Sequence, residues 1–574
     1  MAPRRSVRQR KWRMSMSAFA ATSLTGKRRL TRMLALGLAT LLAVAPGTAL
    51  FAQTDRQTPL DDLSTPPDFL GEWQSRPEYS LSLDECLRLA MDQNLDIAVQ
   101  GYERGISETG IDSAKSAYDS VISSTFNETE INSQNANPFS GPPSFEIKSR
   151  TFSTNWNDPT MWGGSFNVFF QGQKQRSTFS GLDPQYSTTL NFTYQQSILR
   201  SLGRKVNEAP IVIARNNLRI SDSQFRDTVM ATLESTESAY WELVFARRDL
   251  EVKRGSLTLA QGLLEINKAK VEVGTLAPID VTQAEAGVAG RLEDLVVAIG
   301  SLLTAEDNLR QLLNPGHDHG IWNSTLIPSD EPQFAMADPD LQEAIEIAKK
   351  RRPELQQQRI SIESNAQQQM IDRKAKRWDL ILEGRYNLEG LEGRSEAFML
   401  DTDFGDALRE LDDTEFADWT AQATLIIPIH NRAAKSRYVS SRLRHEQSQV
   451  RLDQLMLAAE IDVRRKVRDV KVNTQRVRAA QKNRELQEKN VNAEEKKYEN
   501  GMSTSFQVLE IQEDLATAES QENRAKVDFQ KSLAALERAK GTLLEARNIE
   551  ISNLQDLGDP DFSGGTYGLS GSGR

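Results

Sequence analysis

Two stretches decide how this chain folds: VGTLAPIDVTQAEA, Val273–Ala286, and ENGMSTSFQVLEIQ, Glu499–Gln512. Gly501 lies 227 residues after Gly274, and each glycine is followed seven residues later by a valine, Val281 or Val508. The same offset holds outward from both. Upstream, Leu243, Leu250, Leu257, Leu264 and Val271 fall on Val470, Val477, Arg484, Val491 and Tyr498. Downstream, Val281, Val288, Leu295, Leu302 and Leu309 fall on Val508, Leu515, Glu522, Phe529 and Leu536. Every series advances by seven, and only Arg484 and Glu522 are polar. Self-similarity at a fixed offset marks a duplicated unit, and a sustained seven-residue apolar repeat marks helices that wind around neighbours with a left-handed supercoil. Gly274 and Gly501 then end two long helices, because glycine reaches the left-handed conformation that lets a helix stop and turn.

Further out, SLDECLRLAMDQNLDI from Ser82 resembles PDLQEAIEIAKKRRPELQ from Pro339, with Leu87, Leu89, Ala90 and Ile97 on Ile345, Ile347, Ala348 and Leu355. Here the offset is 258, so the first half carries 31 residues more than the second between this point and the glycine. The Asn-, Ser-, Pro- and Gly-rich stretch 127–160 is the expected site of that extra length. Strand-like alternation marks Ser120–Glu128, Gly164–Gln171 (overlapping SFNVFFQG) and Tyr186–Gln195 (containing TTLNFTYQ), with Phe145–Trp156 a further candidate. In the second half WDLILEGRYNLEG from Trp378 and DWTAQATLIIPI from Asp418 read as strands, separated by a polar insert with a short helix around Asp406–Leu411. Pro428, and Ser197 with Gly203 in the first half, mark the exits from strand into helix. Each half thus reads helix, strand pair, long helix, turn, return helix. The long helices, about 205–272 and 433–499, would each reach about 100 Å at 1.5 Å per residue. A helix of that length suits a wall, not a compact core.

Residues 1–52 hold ten Lys and Arg and no acid, then run through the apolar block Met33–Ala45 to small residues at Ala49 and Ala52, which is the pattern of an export signal. Removing those ten charges from 70 leaves 60 basic against 80 acidic residues, an acidic mature chain that argues against nucleic acid as a partner. Beyond the signal no apolar run approaches the roughly 20 residues of a spanning helix, so entry into a membrane would be by strands. Cys86 is the sole cysteine and sits at an apolar helical position, which suits a small packing residue. His317 and His319 form a lone H-x-H, too few ligands for a specific metal site. No phosphate loop, nucleophile elbow or zinc signature is present, so neither an enzyme nor a cofactor is expected. Residues 53–80 read as a linker, 314–338 as a connector blocked from helix by Pro315, Pro328 and Pro332, and 549–574, Gly- and Ser-rich from Asp559, as a disordered tail.

A strand pair from each half supplies about four strands, whereas a sheet embedded in lipid must close without an open edge and needs about eight. An oligomer is therefore expected. The fold class is thus mainly α with membrane β-strands, with long helical hairpins in two repeats and a β-barrel completed between chains.

The residues also support a resemblance. LSLDECLRLAMDQNLDI resembles the opening of TolC-type outer-membrane efflux proteins, LIIPIHNRAAKSR their strand-exit motif, and the two stretches quoted first their paired helix-tip turns. The resemblance covers about residues 80–544 and includes four motifs in order, behind a signal. It implies a homotrimer in the outer-membrane lipid, with a β-barrel completed by trimerisation from about twelve strands and a matching cylinder of helices, which continues into a periplasmic α-helical tunnel and acts as passive exit duct for an inner-membrane pump through a periplasmic membrane-fusion adaptor. On that resemblance Gly274, Thr275, Leu276, Gly501, Met502 and Ser503 are the tips that meet the adaptor. Asp280, Gln283, Tyr498, Gln507 and Glu510 are the constriction, with Tyr498 at a gate aromatic's position. Gln507 stands where the second acid is expected and Ser503 where a locking Arg can occur, so the gate need not follow the family pattern. Asp280 also suits a helix start after Pro278, and Tyr498 also suits heptad packing. The competing reading, a periplasmic coiled-coil adaptor or scaffold, has one hairpin, or no use for SFNVFFQG and TLNFTYQ.

Overall fold

The computed structural model describes residues 76–134, 144–178, 180–316, 319–395, 399–414 and 416–549. The export signal, most of the linker, His317 and the tail lie outside these residues. Two helices open the first half, α1 (Leu83–Gln93) and α2 (Leu95–Lys115), each begun by a side-chain cap: Ser82 accepts from Glu85 N, and Asn94 from Asp96 N and Ile97 N. The second half opens likewise with α5 (Leu341–Arg351), capped by Asp340, and α6 (Pro353–Ala375), with proline in its first turn where no amide donor is needed.

The long helices are α3 (Ala209–Glu272, 64 residues) and α8 (Arg432–Glu499, 68 residues), roughly 96 and 102 Å long. Their return helices are α4 (Pro278–Leu313) and α9 (Ser505–Lys540), 36 residues each. Most of the heptad positions are buried, among them Leu243, Leu250, Leu302 and Leu309 in the first half and Val470, Val477, Phe529 and Leu536 in the second. Near the first tip the packing departs from the expected series. Leu264 and Val271 are half-buried, whereas Ala260, Leu263 and Asn267 are buried, because there α3 also packs against Tyr498, Val508 and Leu509 of the other half.

The two polar exceptions in the heptad series meet each other: Arg484 Nε donates to Glu522 Oε2 at 2.6 Å. The equivalent positions in the first half, Leu257 and Leu295, belong to one apolar cluster. An ion pair in one repeat thus stands where two leucines stand in the other. Glu78–Leu81, where the expected linker runs into the first repeat, forms β1, which pairs in parallel with β6 (Thr325–Pro328) of the connector. Arg310, buried on α4, donates to Glu306 Oε2 at 3.0 Å and to the carbonyls of Ile321 and Ser324 at 3.1 and 2.7 Å, which holds the connector down. Cys86 is fully buried with Leu81, Ala90 and Tyr240, and burial pushes its thiol up out of the reactive range.

The strand count departs from the expected pair per half. Among the described residues the first half forms four long strands: β2 (Val121–Gln134), β3 (Ser144–Pro159), β4 (Gly164–Ser177) and β5 (Gln185–Ser197). The second half forms β7 (Asp379–Ser395), the two-residue β8 (Leu400–Asp401) and β9 (Ala417–Ile426). The long strands run antiparallel in the order β2-β3-β4-β5-β7-β9. The extra length at 127–160 is therefore an added β-hairpin that contains the candidate strand at 145–156, and among the described residues one chain supplies six long strands instead of about four.

Register separates the two faces of this sheet, because side chains alternate along each strand. One face carries Ile122, Trp156, Val168, Phe192, Tyr386 and Trp419 in a single row across all six strands. Flanking rows on that face hold Phe166 with Tyr194, and Phe170 with Leu190 and Leu388. The other face is mostly polar, Phe169 being an exception: Asn167 donates to Asn155 Oδ1 at 2.7 Å, Gln173 to Ser149 Oγ at 3.0 Å and Asn387 to Asp418 Oδ2 at 3.2 Å. Along β7 the apolar face runs from Leu380 to Leu388, about 27 Å of strand and, at a tilt near 40°, roughly 20 Å of depth, close to the ~25 Å apolar band of membrane barrels. Among the described residues no helix is long and apolar enough to cross a membrane.

Candidate functional site

Both tips close in the same way. The Gly274 amide donates to Val271 O and the Thr275 amide to Lys270 O, each at 2.9 Å. At the second tip Gly501 donates to Tyr498 O at 3.1 Å and Met502 to Lys497 O at 2.8 Å. This paired bond needs a left-handed residue, and the glycines supply it with φ of 76° and 73°. The return helices start differently. Pro278 occupies the first turn of α4, and Thr504 caps α9 by accepting from Gln507 N.

Gly274, Thr275, Gly501 and Met502 are exposed at the tips, whereas Leu276 and Ser503 are half-buried. Val273, Ile279 and Phe506 are also exposed there, and sequence reasoning missed all three. Their signal was apolar character away from the heptad positions. The Ser503 hydroxyl donates to Glu494 at 2.5 Å and, ahead of the Lys497 ammonium, holds that carboxyl below the usual carboxylate range.

Of the five expected constriction residues, the structure draws Asp280 and Tyr498 into one cluster and leaves Gln283, Gln507 and Glu510 exposed on the return helices. Tyr498 is buried against Ala260, Leu263, Val508 and Leu509. Its hydroxyl donates to Asn267 Oδ1 at 2.5 Å, and Lys270 Nζ lies 3.8 Å from its ring centroid. Asn267 Nδ2 in turn donates to the Asp280 carbonyl at 3.3 Å. Burial, and then the Asp280 charge, push the Tyr498 hydroxyl above its ordinary value. Tyr498 therefore packs in the heptad seam and also joins the helix of one half to the tip of the other. Asn267 and Lys270 complete this cluster; they lie one turn apart on α3, but nothing in their local sequence points to Tyr498. Behind them the buried Arg291 of α4 donates to Ser256 Oγ at 3.1 Å and Leu509 O at 2.8 Å, tying three helices together.

The exits from sheet to helix are polar corners. Ser197 Oγ donates to Asp379 at 2.6 Å, Gly203 has φ 98°, and Asn431 takes the left-handed conformation at the start of α8. His319 is occupied locally, its Nδ1 accepting from the Ile321 amide at 3.3 Å.

Several known proteins share this arrangement. A structure of VceC from Vibrio cholerae, described as an outer membrane protein, superposes with a TM-score of 0.58 at 15% identity, covering 80% of this chain and 96% of that one. A membrane protein from Pseudomonas aeruginosa superposes with a TM-score of 0.60 at 15% identity, covering 80% and 93%. In sequence, outer membrane protein TolC of Vibrio cholerae is 33% identical over 99 residues, a match that spans 17% of this chain and 23% of that protein's length. The model of the family described as outer membrane efflux protein matches residues 165–315 and 344–542, one segment in each half. With both repeats matched, the chain belongs to the outer membrane efflux protein family.

Proposed function

We propose that three copies of this chain form a passive exit duct that crosses the outer membrane and extends into the periplasm, carrying substrates delivered by an inner-membrane pump through a periplasmic adaptor. The observation that carries this reading is the six-stranded sheet, apolar on one face and polar on the other, joined at one end to helices about 100 Å long. In lipid its open edges, β2 and β9, need partners. Pairing β9 of one copy with β2 of the next keeps the antiparallel alternation, and three copies close a barrel of eighteen strands, a size that leaves an aqueous channel. The about twelve strands expected from four per chain are replaced by this larger number.

The helices fit the same closure. Each copy contributes α3, α4, α8 and α9 as staves of a tunnel, and the exposed tips, with Val273, Ile279, Met502 and Phe506, face the adaptor. Asp280, Gln283, Gln507 and Glu510 line the constriction that Tyr498 holds shut. A soluble adaptor or scaffold would have no use for a sheet with an apolar outer face. Membrane fractionation of the expressed chain tests the reading: recovery in the outer membrane as a heat-modifiable trimer is expected, and a folded, soluble monomer would overturn it.

A further inference from the structure

The loop between β7 and β9 carries a ten-residue helix, α7 (Phe404–Asp413), laid across the apolar face of the sheet. Its seat is a trough of small residues on three adjacent strands. The Phe404 ring covers Gly172 of β4, where an added Cβ would come within 2.6 Å of Cζ. Ala407 covers Gly390 of β7, and its carbonyl accepts from Thr188 Oγ1 of β5 at 2.7 Å. The helix is closed at its start by a reciprocal capping box between Asp403 and Asp406.

Two features give this seat a direction. On the tunnel side of the trough lies the apolar row of Phe170, Leu190 and Leu388; on the far side lies a row with Lys174, Tyr186 and Glu392. The trough therefore follows the edge of the apolar band. The helix repeats that boundary on its own surface. Glu410 accepts from the Leu391 amide at 2.7 Å, on the far side, and Leu408, two residues earlier, lies about 200° around the helix from it, toward the apolar row. Phe404 and Leu408 remain 36% and 39% exposed, while Arg409, about 100° further around the helix from Leu408, is exposed and paired with Asp406. The residues that seat α7 belong to β4, β5 and β7, and none belongs to the edge strands β2 and β9.

We propose that α7 is an interface helix whose occupant is the bilayer itself: it lies at the headgroup level of the outer leaflet, with Phe404 and Leu408 against the acyl chains and Arg409 toward water. The apolar band then ends at a built-in collar, which fixes how deep the barrel sits. This rests on the membrane-barrel reading above, and the test separates the two. Cys86 is buried and stays unlabelled, so single cysteines can carry a bimane probe in the full-length assembly. Leu408→Cys, Arg409→Cys and, as a control on the lipid face of β9, Ala421→Cys are reconstituted into vesicles of phosphatidylcholine with or without brominated acyl chains. Several-fold quenching of the Leu408 and Ala421 probes by the brominated lipid, with the Arg409 probe unquenched, is expected. Quenching at Ala421 alone, or equal quenching at Leu408 and Arg409, would overturn the interface helix and leave the barrel standing. Loss of quenching at Ala421 as well would overturn both. Phe404→Cys reads the same side of α7 if Leu408→Cys does not assemble.

Discussion

Tyr498 carries two duties that its sequence position left open between packing and gating. Its ring fills the seam beside Val508 and Leu509, while its hydroxyl and π-face engage Asn267 and Lys270 of the other half. Tyr498→Phe keeps the packing and removes one buried hydrogen bond, worth about 1 kcal/mol. If that bond holds the constriction shut, each lost kcal/mol shifts the closed-to-open balance about fivefold per copy. Single-channel recording in planar bilayers should show higher open occupancy for Tyr498→Phe, and weaker block by divalent cations for Asp280→Ala with Glu510→Ala. Unchanged conductance and block in these variants would remove those residues from the constriction.

Among the elements, the hairpins of the two halves differ most clearly at one layer, where Arg484 and Glu522 stand in place of Leu257 and Leu295. Glu522 is largely buried and also receives Lys526 at 2.8 Å, so its charge is well compensated as it stands. Removing only one partner leaves a poorly solvated charge, whereas replacing both with packed apolar groups is often neutral or stabilising. Arg484→Leu and Glu522→Leu should each lower stability by roughly 1–3 kcal/mol, and the double variant should recover to the parent level or above. Thermal melting of the four proteins in detergent measures the coupling. A double variant that loses the sum of the single losses would show the ion pair adds nothing as a pair.

In the molecule as a whole, the two halves are joined along α3 and α9 by charged side chains. Glu242 on α3 receives Arg524 at 2.7 Å and also Lys531, both from α9, and Glu234 receives Arg538 at 2.6 Å. Burial acts to raise the Glu242 carboxyl, but Lys531 and Arg524 together outweigh it and hold the group below its ordinary value of 4.5. A depressed folded value means stability that is present above the unfolded value and lost as the pH falls through the folded one. Glu242→Gln should therefore melt below the parent at neutral pH, and the gap should close as the pH drops below 4.5. Melting curves across that range check it; a gap that persists unchanged in acid would assign the loss to packing instead of charge.

The sequence by itself determined the duplication, the long helices and the glycine turns at their ends, since each is written in a local period or a residue with special backbone freedom. The seven-residue spacing dictates a supercoiled wall, and Gly274 and Gly501 dictate where it turns. Alternation revealed strand material in both halves, including the candidate at 145–156, and the short helix of the polar insert. Tertiary structure alone decided that the extra first-half length is a hairpin in the same sheet, because strand partnership depends on hydrogen bonds between residues far apart and not on any one strand's pattern. It also brought Asn267 and Lys270 to Tyr498, and seated α7 on Gly172 and Gly390, two glycines whose purpose is clearance for a helix more than ten residues away in the chain. Periodicity is a property of one segment, but neighbours are chosen by packing, and packing shaped both the candidate gate and the collar.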